Sequence, residues 1–550
     1  MTAPKIYPLC ETALCVEWGN IIDESVHQQV TCLNRLLQQN PFTGFTETVP
    51  AYTTLTIYYQ PESITSADAT PFIFVKTHVE ILLQRLHVEP SQNEDIISIP
   101  VCYDDEFGYD LEFIAAENNL SKEEVITIHQ QKEYRVYMMG FLPGFAYMGE
   151  VDDIIATPRK QIPRAMVEEG SVGIAGKQTG IYPLTSPGGW QIIGRTPYCL
   201  FDIQKQDPFL FKAGNRVKFH SITKEEFYVI KGQQKKIPSI DQNEDTASAI
   251  VIKPGIFSAI QDGGRFGFQS YGVPVSGAMD TQAYHIANGL VGNIKNAAAI
   301  ECTMGGLVIQ FKKNAAIAVT GSGTAFVNHQ KIKMYQPLGV ARNDMLEVKY
   351  NNDGMRTYIA VSGGFTAPVV MSSRSCYAKA GIGSPLKKEN TLAFEHTARV
   401  ATKQMRPPLR VPVYNSTCVI RIISGAENDW MAPESIQKLS AQNFTLTNQC
   451  DRMGYRLQSD PLSLAYNNEL LSTAVTKGTI QLTPGGQLII LMSDCQTTGG
   501  YPRVAQIAAA DLPVIAQLKP GDIIRFTKIS YREAEELYLL QQKMINEFFS

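Results

Sequence analysis

The sequence predicts a mainly β protein with a small α+β domain at its N-terminus. At 550 residues and 44% hydrophobic composition, the chain is too long for one ordinary core and should divide into domains of roughly 100–200 residues. Helical spacing of apolar residues dominates only residues 1–95, whereas alternating or short apolar runs dominate the remainder. These observations favour several β-barrels after one mixed domain.

Two amphipathic helices and a strand define the N-terminal domain, residues 1–95. Thr70 and Pro71 are typical of an N-cap and a first-turn proline, and they precede a second helical pattern. A strand is predicted over Tyr52–Tyr59. The first helix is predicted from apolar residues at helical spacing, namely Ile22, Val26, Val30, Leu33 and Leu37.

Residues 96–230 have the pattern of a β-barrel. Short runs such as ISIPVCY, YRVYMMG and WQIIGRT alternate with glycine-containing turns. Ser121 and Glu124 form a candidate capping box, so one helix should interrupt the strands. The polar segment 231–249 is the predicted linker to the second half.

The second half repeats this pattern, and we divide it into barrels at 250–415 and 416–550. A polar turn precedes a strand in AGNRVKF, ARNDMLEV, KENTLAF and PGDIIRF, which indicates either duplication or convergent turn chemistry. The last residues, Arg532–Phe549, have one apolar stripe and predict a helix.

Composition excludes several classes of protein. The 49 Lys and Arg against 53 Asp and Glu give a net charge of -4, so no general attraction to nucleic acid or anionic lipid is expected. There is no signal-like or membrane-length apolar run. The ten cysteines and eight histidines are scattered, which favours reduced thiols, a cytoplasmic location and no metal site.

Ten of the 41 glycines lie between Gly140 and Gly194, in the first of three glycine-dense passages. Arginines and polar or aromatic residues are interleaved there, which suits an anion held beside a flat group. The alternative is barrel loops with solvated arginines and a core tryptophan. Gly176 and Lys177 do not complete a P-loop, because Ser171 and Gln178 stand where glycine and Ser or Thr are needed.

The second passage, KPGIFSAIQDGGRFGFQSYGVPVSGAMD, leads into a helix for which Asp280 is a candidate cap. The Gln261, Asp262 and Arg265 cluster is the better functional candidate, since folding alone does not require it. Glu301 is either a buried carboxylate with a shifted pKa or a hydrogen-bonded edge residue.

The third passage, SDCQTTGGYPRVAQ from Ser493, follows a buried strand. It predicts a polar pocket floor, or alternatively a strand-to-helix turn with Pro502 near the first helical position. Cys495 beside Asp494 does not by itself indicate an activated thiolate.

These passages resemble one known family. The first half is similar to the B subunit of bacterial 5-oxoprolinase, also described as a sporulation-kinase-inhibitor family, through GFLPGFAYMG, PRKQIPR, SVGIAGKQTGIYP and SPGGW. The second half is similar to the C subunit of the same enzyme through IQDGGRFG, VPVSGAMD, DRMGYRL, GTIQLTPGGQ and DCQTTGGYPRVA. The same pair looks like the carboxyltransferase domain of urea carboxylase.

The resemblance implies cyclophilin-like β-barrels and a fused B and C component of an ATP-dependent 5-oxoprolinase, which hydrolyses the cyclic amide 5-oxoproline to glutamate. It implies ATP, magnesium and a separate A subunit. Nothing resembles a biotin-accepting segment, so we expect no biotin on this chain. Two other functions stay open: a urea carboxylase-like carboxyltransferase, and a kinase-regulating binding protein acting through residues 1–235. Self-association also stays open.

Motif position in this family suggests the candidate site residues. The candidate catalytic residues, for metal or proton handling, are Asp262, Glu301 and Asp494. The candidate substrate-binding residues are Arg159, Arg164, Gln178, Tyr182, Gly188, Gly189, Trp190, Arg195, Gln261, Arg265, Ser276, Asn288, Gln496, Thr498 and Tyr501.

Overall fold

A computed structural model of the protein describes residues 3–66, 69–86, 96–233, 248–394, 414–466 and 469–549. Strands predominate after the N-terminal domain, which confirms the mainly β fold class. Among the described residues, every helix is too short or too polar to span a lipid bilayer.

The N-terminal domain is a four-stranded antiparallel sheet with two helices packed on it. The strand order is β1-β2-β4-β3. Asp23 caps the first helix, and Thr70 caps the second as predicted. The predicted strand begins at Thr54, because Tyr52 and Thr53 form a turn before it. The elements are β1 (Lys5–Cys10), β2 (Ala13–Glu17), α1 (Glu24–Gln39), β3 (Phe45–Pro50), β4 (Thr54–Tyr59) and α2 (Pro71–Leu83).

The next segment forms a seven-stranded sheet, here called the first barrel. The ring closes through main-chain hydrogen bonds between Cys102 and Arg195, at 2.8 and 2.9 Å. Ser121 and Glu124 form the predicted capping box. The elements are β5 (Ile96–Val101), α3 (Leu111–Glu117), α4 (Lys122–Gln131), β6 (Glu133–Met139), β7 (Ala146–Gly149), β8 (Arg164–Val167), β9 (Ser171–Ala175), β10 (Gln178–Ile181), β11 (Ser186–Gly188), β12 (Gln191–Arg195), β13 (Arg216–Ser221) and α5 (Lys224–Gln233).

The predicted linker, 231–249, overlaps the end of helix α5 and the start of the next strand, so the segment between these two elements is shorter than predicted. Residues 231–233 continue α5, and a strand begins at Ala249. The rest of the predicted linker, 234–247, lies outside the described residues.

The middle domain consists of two sheets, of seven and five strands, that face each other across one apolar core. Helix α6 packs outside the five-stranded sheet, and Asp280 caps it as predicted. The elements are β14 (Ala249–Pro254), β15 (Phe257–Gln261), α6 (Thr281–Leu290), β16 (Ala299–Thr303), β17 (Leu307–Phe311), β18 (Ala315–Gly321), β19 (Thr324–Val327), β20 (Gln330–Lys331), β21 (Pro337–Val340), β22 (Met345–Lys349), β23 (Arg356–Val361), β24 (Phe365–Thr366) and β25 (Thr391–Phe394).

The last barrel is a closed ring of seven strands. The C-terminal helix α9, Tyr531–Asn546, confirms the helix predicted there. The elements are β26 (Thr417–Ser424), α7 (Pro433–Ala441), β27 (Phe444–Cys450), β28 (Gly454–Gln458), β29 (Thr473–Ala474), β30 (Thr479–Leu482), β31 (Leu488–Leu491), β32 (Thr498–Gly499), β33 (Arg503–Ile507), α8 (Leu512–Gln517), β34 (Ile523–Lys528) and α9 (Tyr531–Asn546).

The first and last barrels share one topology. In each, the final strand of the ring lies between its first and second strands and runs parallel to the first, as β13 does beside β5 and β34 beside β26. Each also carries a small two-stranded sheet at the same place in the order, β8 with β11 and β29 with β32. The glycine-containing turns at Gly214 and Gly521 precede equivalent strands. This agreement favours duplication over convergent turn chemistry for these two barrels.

The N-terminal domain joins the two halves of the chain. Glu47 accepts hydrogen bonds from the backbone N–H groups of Gly267 and Gln269, at 2.8 and 2.9 Å. Tyr7 Oη accepts a hydrogen bond from Arg503 in the last barrel at 3.1 Å. The halves therefore share buried polar contacts in addition to the chain connection.

Candidate functional site

The three glycine-dense passages meet at one junction between the first barrel, the middle domain and the last barrel. A Cβ on Gly140 would stand 1.8 Å from Thr498 Oγ1, and a Cβ on Gly272 would stand 3.3 Å from the Cα of Gly140. The Ser276 N–H donates to the Ser493 carbonyl at 3.0 Å. Only residues without side chains permit such approaches at 140 and 272.

Equivalent loops of the two barrels form the walls of this junction. In the first barrel, the loop after β7 carries Arg159 and the loop after β10 carries Tyr182 and Trp190. In the last barrel, the loop after β28 carries Ser472, and the loop after β31 leads to Thr498. The shared topology therefore places the same two loops of each barrel face to face.

Arg159 is the cation of this site. Its guanidinium lies over the Trp190 ring, 5.9 Å from the centroid, and it is exposed. Among the described residues it has no ion-pair partner and no hydrogen-bond partner. Burial raises the pKa of Tyr52, Tyr147 and Tyr182, and the positive charge of Arg159 opposes that rise in each.

Neutral hydroxyl groups line the inner side of the site. Burial raises the pKa of Tyr147, and hydrogen bonding to Ser472 and Thr498 from the other half offsets part of the rise. The hydroxyls of Tyr52 and Thr497 are buried and have no hydrogen-bond partner in the protein. Such groups are usually paired, so a polar ligand would stabilise them.

The aromatic rings give the site flat walls. Tyr147 lies 5.9 Å from Trp190 and 6.5 Å from Tyr52, between ring centroids. Gly188 makes room for Tyr182, because a Cβ there would stand 2.3 Å from the tyrosine oxygen. One cation, several neutral hydrogen-bonding groups and flat apolar walls suit a small planar monoanion.

A buried charge cluster lies at the interface between the middle domain and the last barrel. Arg452 donates to Asp494 through Nε and Nη2, at 2.8 and 3.0 Å, and its Nη1 donates to Glu301. Glu301 also accepts from the Met279 N–H at 2.8 Å and the Tyr358 hydroxyl at 2.7 Å. Glu301 and Asp494 are thus engaged by protein donors.

Glu301 is a buried carboxylate with a shifted pKa, the first of the two alternatives above. Burial alone raises its pKa, but the charges of Arg452 and Arg356, with the hydrogen bonds, hold it below the usual value. The side chain is therefore ionised and fixed, which suits an electrostatic role better than proton transfer at neutral pH.

Lys477, which sequence reasoning missed, lies beside this cluster. Its ammonium donates to the carbonyls of Met279 and Ala278, at 2.9 and 3.3 Å. Burial and the charge of Arg452 lower its pKa to about 8. A lone lysine before a strand gives no sequence signal, so only the fold reveals it.

Asp262 anchors its own loop, contrary to the expectation that folding would not require it. The carboxylate accepts hydrogen bonds from Gly264 N–H, Ser373 Oγ, Ser375 Oγ and Arg374 N–H, between 2.6 and 2.9 Å. These four donors tie two distant loops together, so the geometry favours a structural role.

Arg265 and Gln261 keep one polar group each without a protein partner. Arg265 donates to the carbonyls of Val370 and Ser375, but its buried Nη1 makes no hydrogen bond in the protein. Gln261 donates to the Cys376 carbonyl at 3.2 Å, whereas its Oε1 is unpaired. Burial lowers the pKa of Arg265, and the charges of Asp262 and Asp494 oppose this effect.

Arg164 and Arg195 are already paired within the first barrel. Arg164 donates to Asp110 at 2.6 Å and lies over the Tyr109 ring. Arg195 pairs with Glu168 at the opposite end of β12 from Trp190. Local composition could not separate these arginines from Arg159, because their partners are set by tertiary contacts.

The remaining candidates differ in their surroundings. Asn288 has partners for both side-chain groups, donating to Ala297 and accepting from Asn293, so it stabilises the end of α6. Ser276 has φ of 57° and a buried hydroxyl with no protein partner. Gln178 is buried with an unpaired Oε1, Tyr501 is exposed, and Gly189 and Gln496 are half-buried.

The described residues do not fit a resident magnesium ion. In the described parts of the chain, no three His, Cys, Asp or Glu side chains come together as a metal-binding group. The candidate carboxylates Asp262, Glu301 and Asp494 instead face arginine, hydroxyl or N–H donors. Magnesium prefers oxygen ligands and retained waters, which these paired groups do not offer.

Comparisons with known proteins divide the chain into two parts. Residues 4–211 match the model of the carboxyltransferase domain, subdomain C and D, and residues 271–528 match subdomain A and B. The 5-oxoprolinase B subunit of Bacillus subtilis is 44% identical over 235 residues, covering 41% of this chain and 96% of that protein. The 5-oxoprolinase C subunit of Escherichia coli is 36% identical over 301 residues, covering 54% and 96%.

Structural and more distant matches extend the comparison. The crystal structure of the protein TTHA0988 matches with a TM-score of 0.81 and 29% identity, covering 94% of this chain and 99% of that one. Urea amidolyase of Lachancea kluyveri is 29% identical over 314 residues but is covered only to 17% of its length. The chain therefore belongs to the carboxyltransferase-domain family, with a half related to the B subunit of 5-oxoprolinase followed by a half related to the C subunit.

Proposed function

We propose that this chain is the joined B and C component of a 5-oxoprolinase, a hydrolase that opens a small cyclic amide with ATP as co-substrate. Near-complete coverage of both subunit types at 44% and 36% identity supports the proposal. The observation that carries it is that one site is built by both halves. Tyr147 of the first half lies within the influence of Arg159 and beside Ser472 and Thr498 of the second half.

The site fits the chemistry of 5-oxoproline. This molecule is a planar five-membered lactam with one carboxylate. Arg159 offers an unpaired fork for the carboxylate, and Trp190 and Tyr147 offer flat surfaces for the ring. The buried hydroxyls offer hydrogen bonds to the amide. A single arginine carries too little positive charge to bind a triphosphate. The proposal therefore includes a separate A subunit.

The test is turnover in a reconstituted enzyme. The purified chain is combined with the A subunit of a 5-oxoprolinase, ATP and magnesium, and glutamate and ADP are measured with and without 5-oxoproline. We expect 5-oxoproline-dependent release of glutamate only when the two proteins are together. Release of ADP should also depend on 5-oxoproline, and it should be slower with the chain alone. The carboxyltransferase alternative is tested with urea and bicarbonate in place of 5-oxoproline, and with a biotin carrier and a biotin carboxylase in place of the A subunit.

Absence of 5-oxoproline-dependent ADP and glutamate with a folded chain would refute this function. Turnover of urea with a biotin carrier and a biotin carboxylase would instead support the alternative that the urea amidolyase match suggests. Binding of a histidine kinase by residues 1–235 stays a prediction.

A further inference from the structure

Tyr52 brings the N-terminal domain into the junction between the two barrels. It lies in the turn between β3 and β4, its side chain is buried, and its ring is 5.1 Å from that of Tyr137 in the first barrel. Its hydroxyl has no hydrogen-bond partner in the protein. A buried hydroxyl in this condition is an exception that a ligand contact would explain.

The turn that carries Tyr52 is held firmly. The Ala51 N–H donates to the Thr54 carbonyl at 2.8 Å, and Thr53 Oγ1 donates to the Gly19 carbonyl at 2.6 Å. The His27 ring packs edge-on against Tyr137, 4.7 Å away, beneath the same turn. The hydroxyl is therefore pre-positioned, as a specificity contact requires.

Ring contacts place Tyr52 at the inner end of the site. Arg159 lies over Trp190, Trp190 contacts Tyr147, and Tyr147 contacts Tyr52. Arg159 is exposed, whereas Tyr52 is buried. A ligand whose anionic group pairs with the exposed Arg159 would direct its opposite, neutral end toward Tyr52.

We propose that Tyr52 is a substrate-binding residue whose hydroxyl hydrogen-bonds the ring amide of a small cyclic amide acid, while Arg159 holds the carboxylate. This inference rests on the proposed function and deepens it, because it assigns recognition of the amide to the N-terminal domain. Specificity against rings that lack the amide follows, since such rings would leave the Tyr52 hydroxyl unpaired.

The chain supplies a matched control in Tyr58. Tyr58 lies in the same domain and also has a buried hydroxyl without a protein partner. Its surroundings are different: the titratable side chains with the largest effect on it are Cys10, Glu47 and Cys495, and Arg159 is not among them. Tyr58→Phe removes the same atom, also a buried hydroxyl without a protein partner, from a residue outside the proposed site.

The experiment measures binding of two ligands to the full chain by calorimetry. The ligands are 5-oxo-L-proline and cyclopentanecarboxylate, which has the carboxylate but no amide. We expect Tyr52→Phe to raise the Kd of 5-oxoproline about tenfold and to leave that of cyclopentanecarboxylate unchanged. The melting temperature of the ligand-free variant should not fall, because the lost hydroxyl has no protein partner. Tyr58→Phe should leave both Kd values unchanged.

The outcomes separate this inference from the proposed function. If the wild-type chain binds 5-oxoproline and Tyr52→Phe binds it equally well, or loses affinity for both ligands alike, the assignment of Tyr52 to the amide is wrong. A wild-type chain that binds neither ligand removes this inference, whereas the proposed function is decided separately by turnover in the reconstituted enzyme.

Discussion

The guanidinium of Arg452, in the last barrel, donates to the carboxylate of Glu301, in the middle domain, and both side chains are buried. The same guanidinium also pairs with Asp494, so one arginine bridges two carboxylates. Arg356 stands 3.8 Å from Glu301 on the other side. These ion pairs therefore join the middle domain to the last barrel. Separating the two units would expose the charges to water or leave them buried without a partner.

Arg452→Met should strongly destabilise the second half. It leaves the carboxylates of Glu301 and Asp494 buried without their main partner, and removal of one member of a buried pair costs about 3–5 kcal/mol. Urea unfolding at neutral pH measures the change. The control is Arg532→Ala, which removes an exposed arginine paired with Glu536 and should change stability little. Equal effects of the two substitutions would contradict the structural role of the cluster.

The contribution of Glu11 to stability should fall as pH rises from about 5 to 7. Buried histidines such as His27 and His129, whose pKa burial lowers, contribute with the opposite sign over part of this range. Burial raises the pKa of Glu11 to about 7 in the folded protein, and the nearby Asp511 and Glu535 add to this effect. The folded state thus retains a proton that the unfolded state releases from its ordinary pKa of 4.5 upward. Ionisation above pH 7 then costs up to about 3 kcal/mol.

Glu11→Gln tests this origin of the pH dependence. The glutamine keeps the oxygen that accepts from the Ala509 N–H, so the fold contact remains. The change in the free energy of unfolding from pH 5.5 to pH 8 should be more positive in the variant than in the wild-type protein, because the variant lacks the fall that Glu11 causes. The exposed Glu117 provides the control, since Glu117→Gln should preserve the wild-type difference. If stability depends on pH in Glu11→Gln as it does in the wild-type protein, Glu11 does not contribute to the pH dependence.

Local features were predictable, whereas partners across the fold were not. The caps at Thr70, Ser121 and Asp280 depend on residues within three positions, and the structure confirms them. In contrast, several arginines of the first glycine-dense passage have similar neighbours in the sequence, so the sequence does not show which of them is unpaired. Arg164 finds Asp110, 54 residues away, and only Arg159 of the predicted arginines remains without an ion-pair or hydrogen-bond partner in the described chain.

The same limit applies to the candidate catalytic residues and to the missed ones. The loop position of Asp262 predicts a catalytic role, but its hydrogen bonds to Ser373 and Ser375 show that contacts with a distant loop determine what it does. Tyr52 and Lys477 lie in segments without a motif, and their importance depends on which domains pack around them. The sequence thus predicts which passages form the site. Tertiary contacts decide which of their side chains have no protein partner and can contact a ligand.

Gly140→Ala should impair the junction between the halves. The new Cβ would stand 1.8 Å from Thr498 Oγ1 and 2.8 Å from its Cβ, so one backbone must move. Overpacking of this kind costs about 1–3 kcal/mol. We expect a higher KM for the cyclic amide, measured with the reconstituted enzyme. Adding Thr498→Ala should only partly restore packing, because the Cβ contact stays.

Gly339→Ala is the matched substitution for this experiment. A Cβ at Gly339 meets nothing within 4 Å, and the residue does not have a positive φ. Its KM should equal that of the wild-type chain. A Gly140→Ala variant with wild-type kinetics would show that close approach of Gly140 and Thr498 is dispensable for the site.

Cleavage between the halves should leave them associated. Buried or half-buried hydrogen bonds cross the interface, including Tyr7 with Arg503, Glu47 with Gln269 and Thr54 with Thr473. A protease site inserted after residue 238 allows the full chain to fold before it is cut. Gel filtration after cleavage should give one peak at the original volume, with activity retained. Separation into two peaks would mean that covalent connection is required.

Arg159→Ala should weaken substrate binding with little effect on folding. The guanidinium is exposed and has no ion-pair or hydrogen-bond partner in the described chain, so its removal strands no buried charge. A lost charge-assisted contact to a carboxylate is worth about 1.5–3 kcal/mol, which corresponds to a rise in KM of roughly 10- to 150-fold. Arg159→Lys should recover only part of the loss, because an ammonium cannot form the same fork. Arg342→Ala, which removes an exposed arginine of the middle domain, provides the control and should keep the wild-type KM. If Arg159→Ala lowers kcat at unchanged KM, the arginine acts on the reaction rather than on ground-state binding, and its assignment to the carboxylate fails.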